Sequence, residues 1–337
     1  MTSLGFKKFK YIHMIGIGGS GMIGVATILQ KIGFEVTGSD LVITDEVNDL
    51  IRLGAKVQLG HKPKLIKKAD LVVASSAISK KNPELLFAKK FNITIIPRAE
   101  MLGTLMKPYR SIAVAGSHGK TSTTSIIASI FNAADLSPTY VIGGQVLSVG
   151  RSSNLGEGNY IIVEADESDG SFLHLQPEVA VITNIDNDHM DFYKSFKSLT
   201  AAFYQFMSQV PKNGFILFCA SDRNLQEITA KIVRDSVHPP DHIVSYGLGG
   251  NFDWSINEIS RNDLSSYTFT VQNRGHVFGK FTSYLPGDHN LNNSLAAIAV
   301  GGTLGLPINI IQESISEFQG VKGRFEFMGE SEGITVI

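Results

Sequence analysis

The chain has one cysteine, Cys219, among 337 residues, so it can form no internal disulfide and suits a reducing compartment. It has almost no net charge: 30 Lys and Arg against 31 Asp and Glu give −1. That balance shows no bias toward nucleic acid or an anionic membrane. Lys7-Lys8-Phe9-Lys10 leads directly into a strand pattern, without the apolar segment of a secretory signal. The long uncharged stretch, Asn290 to Ile311, carries Asn290, Asn292, Asn293, Gly301, Gly302, Gly305 and Pro307. A buried Ala-rich helix closed by a Gly-Leu-Pro turn explains it better than a membrane span. Internal repeats and low-complexity segments are absent. The expectation is a soluble, cytoplasmic protein, too long for one core and divided into two or three domains.

Strand and helix patterns alternate along the first part. Apolar runs at Tyr11–Ile15, Glu35–Asp40, Ala55–Leu59, Leu71–Ala74 and Asn92–Ile96 read as strands. Met22–Lys31 and Glu46–Leu53 have helical spacing. This predicts an α/β fold, a doubly wound parallel sheet. Proline interrupts the pattern near Met106-Lys107-Pro108-Tyr109, and a second α/β pattern begins. There Ser111–Val114, Tyr160–Ala165, Val179–Asn184 and Phe215–Cys219 read as strands, and residues 243–285 are rich in β pattern. Ser122–Asn132, Ser195–Gln209, Leu291–Gly301 and Ile308–Phe318 read as helices, with Phe203, Phe206 and Met207 in the core. Phe325–Gly329 and Gly333–Ile337 read as two strands joined by a turn.

Two glycine loops carry chemistry. In Ala115-Gly116-Ser117-His118-Gly119-Lys120-Thr121 the glycines stand between a strand and a helix, where backbone N–H groups converge on phosphate oxygens. Lys120 can neutralise β- and γ-phosphates and Thr121 can offer a hydroxyl to Mg²⁺. The general pattern places a glycine five residues before Gly119; Val114 stands there and the glycine is at 116, which shortens the loop. The other loop, Gly16-x-Gly18-x-x-Gly21, fits a dinucleotide fingerprint, with Asp40 about 20 residues on. Geometry alone admits NAD(P) or a UDP-linked ligand there.

Acidic clusters follow the second loop. Glu164-Ala165-Asp166-Glu167-Ser168-Asp169 puts four carboxylates at a strand end, where they can hold Mg²⁺ beside bound phosphates. Thr183 to Asp191 places His189 among acids at the next strand end, able to ligate a metal or orient a carboxylate. By spacing alone, His13, His61, His174, His238, His242 and His276 read as surface or core residues.

Together these motifs resemble the Mur ligases of peptidoglycan synthesis, and within them the alanine-adding branch. The resemblance runs through Ile15–Met22, Gly38-Ser39-Asp40, Ser75–Ile78, Pro97–Leu102, Gly116–Thr121, Glu164–Asp169, Asn184–Asp191, Gly287–Asn293 and Gly320–Phe325. It implies an N-terminal Rossmann-like UDP-substrate domain over 1–107, a central P-loop ATPase domain over 108–322, and the start of a third domain, cut short, over 323–337. Gly16, Gly18, Gly19, Ser20, Gly21, Met22, Ser39, Asp40, His61, Ser75 and Ser76 would hold the UDP part of the substrate. Gly116, Ser117, His118, Gly119, Lys120 and Thr121 would hold the ATP phosphates. Asn290 and Asn293 would contact adenine, and Arg324 would reach the nucleotide. Thr121 and Glu164 would bind one Mg²⁺ and His189 a second, with Lys120, Glu164 and His189 catalytic.

The implied reaction joins L-alanine to the lactyl carboxylate of UDP-N-acetylmuramate through an acyl phosphate at the expense of ATP. Several Mur ligases carry a carbamylated lysine where Ala202-Phe203-Tyr204-Gln205 stands here; the alanine-adding branch lacks it too. Three alternatives remain: a ligase that recycles murein tripeptide, a nicotinamide oxidoreductase, and a P-loop ATPase that performs no ligation.

Overall fold

The computed structural model describes residues 9–147, 150–262, 266–323, 329–331 and 334–336. The first part runs β1 (Tyr11–Ile15), α1 (Ser20–Lys31), β2 (Glu35–Asp40), α2 (Asp45–Arg52), β3 (Lys56–Leu59), β4 (Leu71–Ala74), α3 (Pro83–Lys90), β5 (Thr94–Pro97) and α4 (Arg98–Met106). Its five strands form a sheet in the order β3-β2-β1-β4-β5, with every pair parallel. The chain crosses sides at β1, so the ends of β1 and β4 flank the crevice where such sheets take ligands.

The second part runs β6 (Arg110–Ala115), α5 (Lys120–Ala133), β7 (Thr139–Val146), β8 (Arg151–Asn154), β9 (Tyr160–Glu164), β10 (Val179–Ile182), α6 (Met190–Tyr193), α7 (Phe196–Ser208), β11 (Phe215–Cys219) and α8 (Arg223–Arg234). It continues through β12 (Ile243–Leu248), β13 (Trp254–Arg261), β14 (Tyr267–Asn273), β15 (His276–Ser283), α9 (Asp288–Thr303) and α10 (Ile308–Glu317). These strands make one ten-stranded sheet, β15-β14-β13-β12-β11-β10-β6-β9-β7-β8. Pairing is parallel from β13 to β7 and antiparallel at both ends. A final antiparallel pair joins β16 (Gly329–Ser331) to β17 (Ile334–Val336); Arg324 and residues 325–328 lie outside the described residues.

The inner strands are legible because both faces are covered: Ile112–Ala115, Val179–Ile182 and Ile216–Leu217 are buried without alternation. Phe203, Phe206 and Met207 are fully buried, as expected, with Phe172 packed against both phenylalanines. α5 is a less obvious core helix, since Thr121, Thr123, Thr124 and Ser125 are buried. Their hydroxyls are satisfied locally: Thr124 donates to the Lys120 carbonyl and Ser125 to the Thr121 carbonyl, each at 2.7 Å, and Thr123 donates to Asn293 Oδ1 at 3.2 Å. α9 is the buried Ala-rich helix expected at Leu291–Gly301, longer by three residues at its start and two at its end. Among the described residues no helix is long and apolar enough to cross a membrane.

The two sheets meet through small residues. A Cβ on Gly103 of α4 would lie 2.5 Å from the His174 carbonyl oxygen, and one on Gly24 of α1 would lie 3.0 Å from Val141. Gly103→Val should therefore push α4 off the second part and cost on the order of 1–3 kcal/mol. Calorimetry should read it as a lower Tm; an unchanged melt would show that this contact does not hold the two parts together.

Candidate active site

The second glycine loop follows β6, where the sheet order reverses between β10 and β9. Two positions there require glycine. Gly116 has φ +134° and a Cβ on it would meet Thr183 Oγ1 at 2.1 Å. Gly119 has φ +83°, starts α5, and a Cβ on it would meet Asn293 Oδ1 at 2.5 Å. The loop is tied to the β10 end by Asn184: its carbonyl accepts from Ser117 N at 3.1 Å, and its Oδ1 accepts from His118 N at 2.8 Å. His118 is exposed and pairs with Asp186 at 3.1 Å.

Each acid of the Glu164–Asp169 cluster has its own partner. Glu164 accepts from Thr121 Oγ1 at 3.0 Å and from Gly143 N at 2.8 Å. Glu167 is fully buried and takes Lys120 Nζ at 2.9 and 3.0 Å, while Lys120 also donates to the Gly116 carbonyl at 2.7 Å. Burial pushes the Glu167 carboxyl above the usual range, although Lys120 opposes it. His189 Nε2 lies 3.5 Å from Glu167 and 3.7 Å from Asp188. His189 has φ +57° and begins α6. Asp166 lies 3.7 Å from Arg98 of α4. Burial pushes the Asp169 carboxyl up, but hydrogen bonds from Ser171 and Ser76 and the charge of Arg98 bring it below its ordinary range.

At the first loop, Gly16 has φ +76° and its N–H donates to the Ser39 carbonyl at 2.8 Å. Asp40 Oδ2 accepts from Gly18 N at 2.8 Å, and Oδ1 accepts from Leu41 N at 2.7 Å. Ser39 and His61 belong to a buried network centred on Glu84, which the sequence did not single out. Glu84 sits in the first turn of α3, capped by Asn82 and preceded by Pro83.

A cleft of about 330 Å³ joins the two loops. Gly19, Ser20, Gly21, Met22, Ser75 and Ser76 line one side, and Thr121, Gly143, Glu164 and Asp166 the other. Arg98 stands between them. A Cβ on Gly21 would lie 2.6 Å from Arg98 Nη1, so this glycine makes room for the guanidinium. Arg98 lies within the Pro97–Leu102 motif, and its signal in the sequence is a cation at a helix start directly after a strand end. Gly16, Gly18, Ser39, Asp40 and His61 lie outside the lining of this cleft, as do Gly116–Lys120, His189, Asn290 and Asn293. Asn293 faces the loop through Gly119 and Thr123, and Asn290 Oδ1 accepts from Asn293 Nδ2 at 3.3 Å.

Among the described residues no three His, Cys, Asp or Glu side chains form a ready metal cage. Mg²⁺ does not need one, since it keeps waters and takes one or two protein ligands beside phosphate oxygens. The paired oxygens of Thr121 and Glu164 fit that demand. His189 is grouped with Glu167 and Asp188 instead.

Two outcomes follow from this geometry. Gly119→Ala combines a left-handed backbone with a 2.5 Å clash, so it should weaken nucleoside triphosphate binding at least about tenfold in calorimetric titration. Binding at wild-type strength would show that the loop conformation is not needed. Glu84 is raised by burial but lowered more by hydrogen bonds from His13, Ser39 and His61, so its folded pKa lies below the ordinary 4.5. It therefore contributes stability above that value and loses it as pH falls through the folded pKa. The stability gap between the native chain and Glu84→Gln should narrow below about pH 4.5 in urea titrations; a constant gap would contradict this.

The Mur ligase middle domain family matches residues 114–301, and the Mur ligase family catalytic domain matches residues 11–110. UDP-N-acetylmuramate–L-alanine ligase of Pelobacter propionicus is 42% identical over 333 residues, 98% of this chain and 71% of that protein. The protein of the same name from Myxococcus xanthus is 41% identical over 326 residues, 97% of this chain and 67% of that protein. Among solved structures, UDP-N-acetylmuramate-alanine ligase MurC from Thermotoga maritima superposes with a TM-score of 0.82 at 27% identity, covering 96% of this chain and 72% of that one. UDP-N-acetylmuramate:L-alanyl-gamma-D-glutamyl-meso-diaminopimelate ligase from Neisseria meningitides gives 0.83 at 27%, covering 93% and 99%. With both loops, the acidic cluster and the cleft between them in place, the chain belongs to the Mur ligase family.

Proposed function

We propose that this chain is an ATP-dependent ligase acting in the cytoplasm, joining L-alanine to the lactyl carboxylate of UDP-N-acetylmuramate in peptidoglycan precursor synthesis. The observation that carries this reading is the shared cleft: first-loop residues face Thr121 and Glu164 across a space of about 330 Å³. A UDP-sugar held by the first loop would present its carboxylate to a triphosphate held by the second. An oxidoreductase reading leaves Lys120, Thr121 and Glu164 without a task.

In this reading the ligand's UDP part occupies Gly16, Gly18–Met22, Ser39, Asp40, His61, Ser75 and Ser76. ATP phosphates occupy Gly116–Thr121, with Asn290, Asn293 and Arg324 at the nucleoside. The lactyl carboxylate attacks the γ-phosphorus and ADP leaves. The alanine amine then attacks the acyl carbon, phosphate leaves, and the amine gives up a proton. The first step brings two anions together, so Arg98 in the cleft and Lys120 on the phosphate loop beside it would lower its barrier by holding positive charge there. Mg²⁺, with Thr121 and Glu164 as ligands and a second ion at His189, would add to that neutralisation. The division into 1–107, 108–322 and 323–337 belongs to the same proposal.

A ligase for murein tripeptide is the second reading, favoured by the equal fold match to the Neisseria meningitides enzyme. The 40–42% identity to alanine ligases weighs against it. The test is phosphate release from ATP and UDP-N-acetylmuramate with L-alanine or tripeptide as acceptor. Alanine-dependent release supports the proposal; tripeptide-dependent release transfers it to the second reading. Lys120→Ala should lower the rate by about 10²–10³. NADH binding with no UDP-sugar binding would sink both readings.

A further inference from the structure

Glu84 is a fully buried carboxylate that the proposed reaction does not use. Side chains from three strand regions converge on it. His13 Nε2 lies 3.1 Å from Oε1, and Gln58 Nε2 donates to the same oxygen at 3.0 Å. Ser39 Oγ donates to Oε2, and His61 Nδ1 lies 3.1 Å from that oxygen and 2.8 Å from Ser39 Oγ. Burying a carboxylate is costly, and an apolar group of similar volume often serves stability as well. The network therefore asks for a reason beyond stability.

The donor inventory gives one. An ionised carboxylate only accepts, and Ser39 spends its single proton on Oε2. Ser39 Oγ can then only accept from His61. His61 Nδ1 thus faces two acceptors and must carry a proton. With the ring neutral, its one N–H is spent on Nδ1 and Nε2 is left as a lone pair; a second proton would turn Nε2 into a donor. No described residue hydrogen-bonds Nε2, and the side chain is still 14% exposed. His61 follows β3, beside the end of β2, on the sheet edge that bears the Gly16 loop. In a sheet of this order the diphosphate sits at the loop after β1, and the nucleoside extends across the ends of the next strands.

We propose that Glu84 is a positioning residue that fixes His61 with Nε2 as a hydrogen-bond acceptor for the nucleotide base, favouring uracil over cytosine. The imide N3–H of uracil donates to such an acceptor, whereas N3 of cytosine only accepts. This rests on the reading of the first loop as the UDP site. Gln at position 84 has one oxygen and one NH₂, so it cannot accept on both sides. Its NH₂ facing Ser39 and His61 would let the proton move from Nδ1 to Nε2.

The experiment titrates the full chain with UDP, CDP and ATP, and records histidine ¹⁵N shifts, with His61→Ala assigning the His61 signals. The native chain should show the Nδ1–H form and prefer UDP by at least about tenfold. Glu84→Gln should mix the tautomers, weaken UDP about tenfold and narrow the preference, with ATP affinity unchanged. His61→Ala should erase the preference while leaving Glu84 in place. An Nε2–H form in the native chain overturns the proposal. So does a Glu84→Gln variant that melts lower yet keeps its tautomer and its UDP preference, which would mark Glu84 as merely structural. A native chain that binds ATP but neither UDP nor CDP overturns the first-loop reading itself, and the proposal with it.

Discussion

The buried pair of Lys120 and Glu167 is the interaction on which the second site depends. Glu167 is fully enclosed and burial penalises its charge, so it is tolerable there only because Lys120 stands 2.9 Å away. The same ammonium is pinned to the Gly116 carbonyl, and the same carboxylate reaches toward His189. One ion pair thus joins the glycine loop, the acidic loop after β9 and the start of α6. Tyr193 adds a further tie, its hydroxyl donating to the Glu167 carbonyl at 2.5 Å. A change at Lys120 consequently removes a phosphate-binding charge and strands a buried carboxylate at once, so a rate loss there measures both.

The cleft exists because two sheets present the carboxyl ends of their parallel strands to each other. Small residues set the spacing: Gly103 lets α4 close on His174, and Gly24 lets α1 close on Val141 and Ser153. Polar groups then cross the gap, with Arg98 facing Asp166 and Ser76 facing Asp169. Without the close approach these pairs would be water-separated and worth little. Close packing at these glycines is therefore what would bring the substrate carboxylate and the triphosphate within reach in the proposed reaction.

The inner strands could be read from sequence because burial on both faces writes an unbroken apolar run, as at Val179–Ile182 and Phe215–Cys219. α3, α4, α6 and α8 fall outside the helices expected from the sequence. α3 is only eight residues long and carries a buried charged residue in its first turn, against any amphipathic pattern. α8 carries a clear stripe, Leu225, Ile228 and Ile232, so its helix is legible from periodicity. The acidic cluster shows a deeper limit. Its four carboxylates look alike in the chain, yet Glu164 takes Thr121, Asp166 takes Arg98, Glu167 takes Lys120, and Asp169 takes Ser171 and Ser76. Each of those roles involves a partner dozens of residues away, so spacing could name the cluster but could not divide the work within it. Glu84 is hidden for the same reason, its partners lying on β1, β2, β3 and the loop after β3.

The first sheet also shows why base reading would fall to a histidine. Asp40, the acid expected at the end of β2, already serves the backbone: Oδ2 holds Gly18 N and Oδ1 holds Leu41 N and Val42 N. Those bonds shape the loop that would hold the diphosphate, and they fix the carboxylate in place. It can still accept a ribose hydroxyl with a remaining lone pair, but every ribonucleotide offers that hydroxyl, so the contact selects no base. Selection needs a group whose donor or acceptor character is fixed before the ligand arrives. Serine rotates its proton to suit either partner, and exposed imidazole exchanges tautomers. A histidine held by an enclosed carboxylate does neither, which gives the cost of burying Glu84 a purpose at the nucleotide end of the site.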